Sequence, residues 1–100
     1  MNSDIRQFEQ HIYDMVCAIH KEFDNSFLTH DITYTMRVKR AYDDKGRYLS
    51  EMEVEYKKAG EFLEWDEFFI YWRDKVHVDE QIMSTEIRED IKRMLSREHM

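Results

Sequence analysis

Apolar side chains at Ile5, Phe8, Ile12, Met15, Val16, Ile19 and Phe23 recur at helical spacing, which predicts an N-terminal amphipathic helix with one buried stripe. Ser3 or Asp4 suits its N-cap, with Gln7 three residues beyond Asp4. Asp24, Asn25 and Ser26 are expected to stop it, because their short polar side chains compete for backbone hydrogen bonds and Asn tolerates the left-handed conformation. The period then drops to two. Ile32, Tyr34, Met36 and Val38 alternate with Thr33, Thr35, Arg37 and Lys39, as in a strand with one buried and one wet face.

Asp43-Asp44-Lys45-Gly46-Arg47 follows as a hairpin connection, with Gly46 available for a positive φ. A second strand then turns Met52, Val54 and Tyr56 inward and Glu51, Glu53 and Glu55 outward. Antiparallel pairing brings Arg37 and Lys39 against those glutamates, an opposite-charge arrangement that helps to set register.

Lys58-Ala59-Gly60-Glu61 makes a second turn. The segment after it carries two patterns. Phe62, Trp65, Phe69, Trp72 and Val76 match a helical stripe, whereas Phe68 to Trp72 is a run of strand-favouring aromatic and branched residues. The strand is favoured, because a lone hairpin is marginal and a third strand completes a meander. Arg73-Asp74-Lys75 ends that strand and Val76-His77-Val78 leads to a last helix capped by Asp79. Its apolar face is Ile82, Met83, Ile87, Ile91, Met94 and Leu95, and its wet face Glu86, Glu89, Asp90, Lys92 and Arg93. The expected fold is α+β: an N-terminal helix, a three-stranded antiparallel meander and a C-terminal helix packed on the sheet, forming one domain over residues 1–100.

Composition narrows the function. One hundred residues with 42% hydrophobic and 37% charged content allow one core and a soluble surface. The single cysteine, Cys17, excludes an internal disulfide and fits a reducing compartment; with no apolar leader at the start, this gives a cytoplasmic expectation. No apolar run approaches the roughly twenty residues of a spanning helix. The charge is uneven: residues 1–50 carry seven basic against eight acidic side chains, residues 51–100 eight against fourteen. The densest stretch holds Glu51, Glu53, Glu55, Glu61, Glu64, Asp66 and Glu67 against Lys57 and Lys58. Such acidity argues against direct nucleic-acid binding and for a basic partner, or for solubility alone.

No catalytic motif emerges. Two glycines and no proline leave no phosphate loop or nucleotide fingerprint, and the five histidines lack metal-ligand spacing. His11 with Asp14 and His20 with Asp24 read as surface helix pairs, and His77-Val78-Asp79 as the polar approach to a helix rather than a ligand set. Cys17 and His20, three apart, are readable as a thiolate–imidazole pair, but Cys17 adjoins the buried stripe. Glu64, Asp66 and Glu67 suit acid–base work only if a pocket raises one pKa; otherwise they form a solvated face.

The distinctive feature is acid beside large aromatics around Phe62-Leu63-Glu64-Trp65-Asp66-Glu67-Phe68. Trp is a frequent interface anchor and charge complementarity speeds encounter with a cationic partner. The expectation is a non-catalytic inhibitor of the immunity-protein or antitoxin type, covering the basic surface of a nucleic-acid-acting toxin. Glu53, Glu55, Glu64, Asp66 and Glu67 would make electrostatic contacts and Trp65 would anchor them, with no cofactor or metal. Two alternatives stay open: a small homodimeric chaperone or adaptor using its methionine-rich apolar faces, and a small-molecule site lined by Tyr34, Tyr56, Phe69 and Trp72.

Overall fold

The computed structural model of the chain describes residues 2–42, 44–46, 48–71 and 79–98. It is an α+β fold in which helices cover one face of a three-stranded antiparallel sheet. The elements are α1 (Asn2–Lys21), α2 (Asp24–Thr29), β1 (Ile32–Tyr42), β2 (Tyr48–Lys58), β3 (Glu61–Tyr71) and α3 (Glu80–Glu98), with strand order β1-β2-β3. Among the described residues no helix is long and apolar enough to cross a membrane. Trp72, the Arg73-Asp74-Lys75 stop, Val76-His77-Val78, Asp43, Arg47 and His99 lie outside the described residues, as does the side chain of Ile5.

Two boundaries differ from expectation. Helix α1 is already formed at Asn2, so Ser3 and Asp4 sit within its first turn instead of preceding it as a cap. The stretch beginning at Asp24 does not end the helical region; it starts α2. Lys21 closes α1, a two-residue turn follows, and Phe27 is buried against the core while Asp24 supplies an acid to the new first turn. The left-handed residue of this junction is Asp31, with φ of 57°, and not Asn25.

The hairpin register is the one the charge pattern predicts. Arg37 lies opposite Glu53 and Lys39 opposite Glu51, and Met36, Val38, Met52 and Val54 share the helix-covered face. The β2–β3 connection is the two-residue loop Ala59–Gly60, both at positive φ (52° and 83°), the geometry that matches strand twist in tight hairpins.

Strand β3 resolves the ambiguity of the aromatic segment and explains it. Lys57 pairs with Phe62 and Tyr56 with Glu64, so Leu63 is an extra, bulged residue. The bulge puts Phe62 and Trp65 on one face although they are three apart, and Phe69 joins them by simple alternation. A 62, 65, 69 spacing therefore imitates a helix within a strand.

The core lies between helices and sheet. Ile12, Val16 and Ile19 of α1, Met52 and Val54 of β2, Ile70 of β3 and Ile87, Ile91 and Met94 of α3 are all almost fully buried. Asp79 caps α3 as expected, its Oδ1 accepting the Gln81 and Ile82 backbone N–H groups at 3.1 and 3.0 Å. Ile82, expected on the apolar face, is exposed, while its neighbour Met83 packs against the core. Glu9 near Arg40 and Ser50, and His20 near Tyr56, show α1 running in the direction of β2. Glu98 near Lys58 and Arg97 near Glu64 place the end of α3 at the same end of the sheet.

Candidate functional site

Strand alternation divides the six residues expected to form one binding patch. Glu53, Glu55, Trp65 and Glu67 point to the face of the sheet away from the helices; Glu64 and Asp66 point toward α3. The parity of Phe68 and Ile70, both buried, requires this, since residues 64, 66, 68 and 70 share one side of a strand. Glu64 is taken up by Arg97 of α3.

The open face joins charge and aromatic surface. Arg37 reaches across β2 from β1, its guanidinium 5.3 Å from the centroid of the Trp65 ring, while it donates to Glu53 at 3.0 Å. Lys39 donates to the other Glu53 oxygen at 3.1 Å. Glu53, expected to be solvated, is consequently buried under these two cations. The Lys39 hydrogen bond is the main cause that holds its carboxyl below the usual range, against the opposing effect of burial and with help from Arg37. Beside it, carboxylate oxygens of Glu51, Glu53 and Glu67 come within 4.8 Å of one another. An all-carboxylate group whose innermost member already holds two cations is a poor metal centre. Its effect is electrostatic: Glu51 and Glu67 form no ion pair among the described residues. Trp65, Phe69 and Phe62 stand 42%, 45% and 56% exposed on the same face, with the Phe62 and Trp65 rings 5.7 Å apart. Trp65 is thus a surface residue, and Phe69 faces away from Tyr34 and Tyr56. The small-molecule lining that groups these three is split across the sheet.

Behind the sheet lie polar groups that sequence reasoning placed elsewhere or missed. His20 is not a surface partner of Asp24. It is fully buried, surrounded by Phe27, Tyr34 and Tyr56, and its Nδ1–H donates to the Val16 carbonyl at 2.7 Å. That fixes the tautomer, so Nε2 accepts the Tyr56 hydroxyl at 2.6 Å. Burial lowers the His20 pKa and raises that of Tyr56, the latter with support from the charges of Asp66, Glu64 and Asp90. With both nitrogens engaged, His20 cannot activate Cys17, whose thiol is pushed up by burial and donates toward the Met36 sulfur at 3.4 Å. His11 pairs with Glu80 of α3 at 2.6 Å instead of with Asp14.

Glu9 carried no role in the sequence reading, yet it is buried and fully satisfied. Arg40 donates to its two oxygens at 3.1 and 2.6 Å, and Ser50 donates at 2.6 Å. Burial alone would raise the Glu9 pKa, but these hydrogen bonds and the charges of Arg40 and Arg6 outweigh it and lower the value. The available signal was positional, because Glu9 and His20 both adjoin the apolar stripe of α1. Asp66 differs. Its pKa is raised to about 7, chiefly by burial, then by a hydrogen bond and charge from Asp90, which was expected on the wet face of α3.

Two open clefts occur among the described residues, one of about 240 Å³ beside Glu9, Gln10, Tyr13 and Val38, and one of about 390 Å³ beside Ser26, His30, Leu95 and Ser96. Neither includes Asp66 or the aromatic face. No protein-family model, curated protein or solved structure matches this chain.

Proposed function

We propose that the protein is a non-catalytic binding module of the immunity-protein or antitoxin type, and that the uncovered sheet face is the surface with which it occludes a basic protein. The observation that carries this reading is the open face itself: exposed Trp65, Phe69 and Phe62 beside Glu51, Glu55 and Glu67, on a chain of net charge −7. Glu55 has Lys57 4.0 Å away, whereas Glu51 and Glu67 form no ion pair among the described residues; aromatic anchors flanked by such carboxylates fit a surface rich in Arg and Lys, such as the substrate cleft of a nuclease. Arg37 illustrates the chemistry within the chain, since its guanidinium lies on Trp65 and pairs with Glu53 at once.

The patch of this proposal differs from the six residues first grouped. Glu51, Phe62 and Phe69 join it; Glu64 and Asp66 leave it, and so does Glu53, which Arg37 and Lys39 hold. The test is titration of the protein into a basic nuclease encoded beside its gene. The wild type should abolish cleavage at equal stoichiometry, with association slowed by salt. Trp65→Ala combined with Glu67→Lys should weaken the complex at least ~30-fold, about 2 kcal/mol, without unfolding the protein. Cleavage that continues unchanged in excess wild-type protein, or the lack of any such nuclease neighbour, sinks the reading.

A further inference from the structure

Asp66 lies where β3 meets α3. Its Oδ1 accepts the Glu67 backbone N–H at 3.0 Å, while Oδ2 is buried and meets no donor among the described residues. Across the interface it faces Asp90, which lies on α3 among the buried Ile87, Ile91 and Met94 and whose carboxyl, after burial, raises the Asp66 pKa. Two carboxylates in contact repel, and two carboxyl groups bond only when a proton lies between them. We propose that a proton shared between Asp66 and Asp90 clips α3 to β3, so that α3 docks firmly while the proton is held and loosens when it is lost.

The surroundings leave Asp66 no other means of neutralisation. The ionisable groups facing Asp66 are Tyr56 of β2, Glu64 of β3 and Asp90 of α3. The Tyr56 proton is committed to His20, and Arg97 is committed to Glu64. Arg93 reaches Asp90 at 3.2 Å from one turn along the same helix, and no cation among the described residues forms an ion pair with Asp66. Other ties of α3 to the sheet do not need this proton: the buried side chains of Ile87, Ile91 and Met94, the Lys58–Glu98 pair at 3.0 Å and the Arg97–Glu64 pair. Loss of the clip therefore loosens the helix without releasing it. Asp66 also stands between Trp65 and Glu67 in β3, so the switch sits directly behind the open face, although it does not depend on what that face binds.

The direction of the effect follows from linkage. The folded pKa of Asp66, about 7, lies above its ordinary value of 3.8, so its contribution is complete below 3.8 and is lost as pH rises from there through about 7. His20 has the opposite slope, and comparison with Asp66→Asn removes it. The Asn amide donates to the Asp90 carboxylate at any pH and needs no proton. Hydrogen exchange across residues 80–98, corrected for the intrinsic rate, gives the opening equilibrium of α3 at each pH. Between pH 5 and pH 8 that equilibrium should rise about tenfold or more in the wild type and less than about twofold in Asp66→Asn. Asp90→Asn supplies the same amide from the helix side and should give the same flat profile, so a folding failure of one variant leaves the other to decide. In carbon-13 spectra of the wild type the Asp66 carboxyl should titrate near neutrality. Parallel exchange profiles in wild type and variants, or an Asp66 midpoint in the ordinary carboxylate range, would overturn the proposal.

Discussion

Among the polar contacts that cross from helix to sheet, two on the covered face solve the same problem in opposite ways. His20 of α1 and Tyr56 of β2 are both buried, and each polar atom of the pair has a partner: a carbonyl for Nδ1–H, a hydroxyl for Nε2. Asp66 of β3 and Asp90 of α3 form a contact in which one buried oxygen has no donor unless a proton is present. A buried hydrogen bond between neutral groups is a fixture, because breaking it strands a desolvated donor or acceptor. A bond between two carboxyls is conditional on pH. The α1 side of the sheet is therefore built to stay closed, and the α3 side to respond.

The largest effect expected from breaking this contrast is at His20. Truncation in His20→Ala opens a cavity in a fully buried site and leaves the Tyr56 hydroxyl without its acceptor. Urea unfolding near pH 7 should show a loss of about 3 kcal/mol or more. Tyr56→Phe removes only the hydroxyl and leaves His20 Nε2 buried and unpaired, at a cost of about 2 kcal/mol. Equal unfolding midpoints for Tyr56→Phe and the wild type would mean that water satisfies the imidazole and that the pair is not closed.

pH sharpens the comparison at a smaller scale. Burial depresses the folded pKa of His20 below its ordinary 6.5, so its contribution is fully present above pH 6.5 and is lost as pH falls from there through the folded value. In an Asp66→Asn background, where the opposing carboxyl slope is absent, stability should drop by at most about 1.4 kcal/mol for each pH unit in that window. A flat stability profile between pH 6.5 and pH 5 in that background would show that His20 is protonated in the folded state as readily as in the unfolded one.

Much of this architecture is legible in the amino-acid order, and the failures have a common cause. The stripe of α1, the alternation of β1 and β2, the Arg37 and Lys39 register and the Asp79 cap each rest on a period or a local hydrogen bond that the sequence writes directly. The bulge at Leu63 gave β3 its second, helix-like pattern, because one extra residue disturbs a period of two, although the strand is the favoured reading and the one found. Face assignment failed where composition was allowed to outweigh parity. Glu64 and Asp66 look like members of an acidic surface run, yet they share a side with Phe68 and Ile70. His20 was misplaced, and Glu9 given no role, for a related reason: a polar residue beside an apolar stripe is buried when a partner from another element completes it. Tyr56, Arg40 and Ser50 lie more than thirty residues away in the chain, beyond the reach of any local pattern.

The smallest predicted effect is a control that touches neither pair, although it lies at the same end of the sheet as Tyr56. Ala59 holds φ of 52° in the loop to Gly60, a conformation in which its Cβ crowds the backbone. Its N–H donates to the Asp31 carbonyl at 2.9 Å, which ties the β2–β3 turn to the start of β1. Asn tolerates positive φ better than Ala, and Asn-Gly is the preferred sequence for a two-residue turn of this kind. Ala59→Asn should keep that backbone bond, relieve the strain and stabilise the fold by about 0.5–1 kcal/mol, read as a shift in the urea midpoint without a change in slope. The gain should be the same at pH 5 and pH 8, because no titrating group takes part. A gain confined to one of these pH values would show that the turn is coupled to the carboxyl pair or to His20, and the two sides of the sheet would then not be independent.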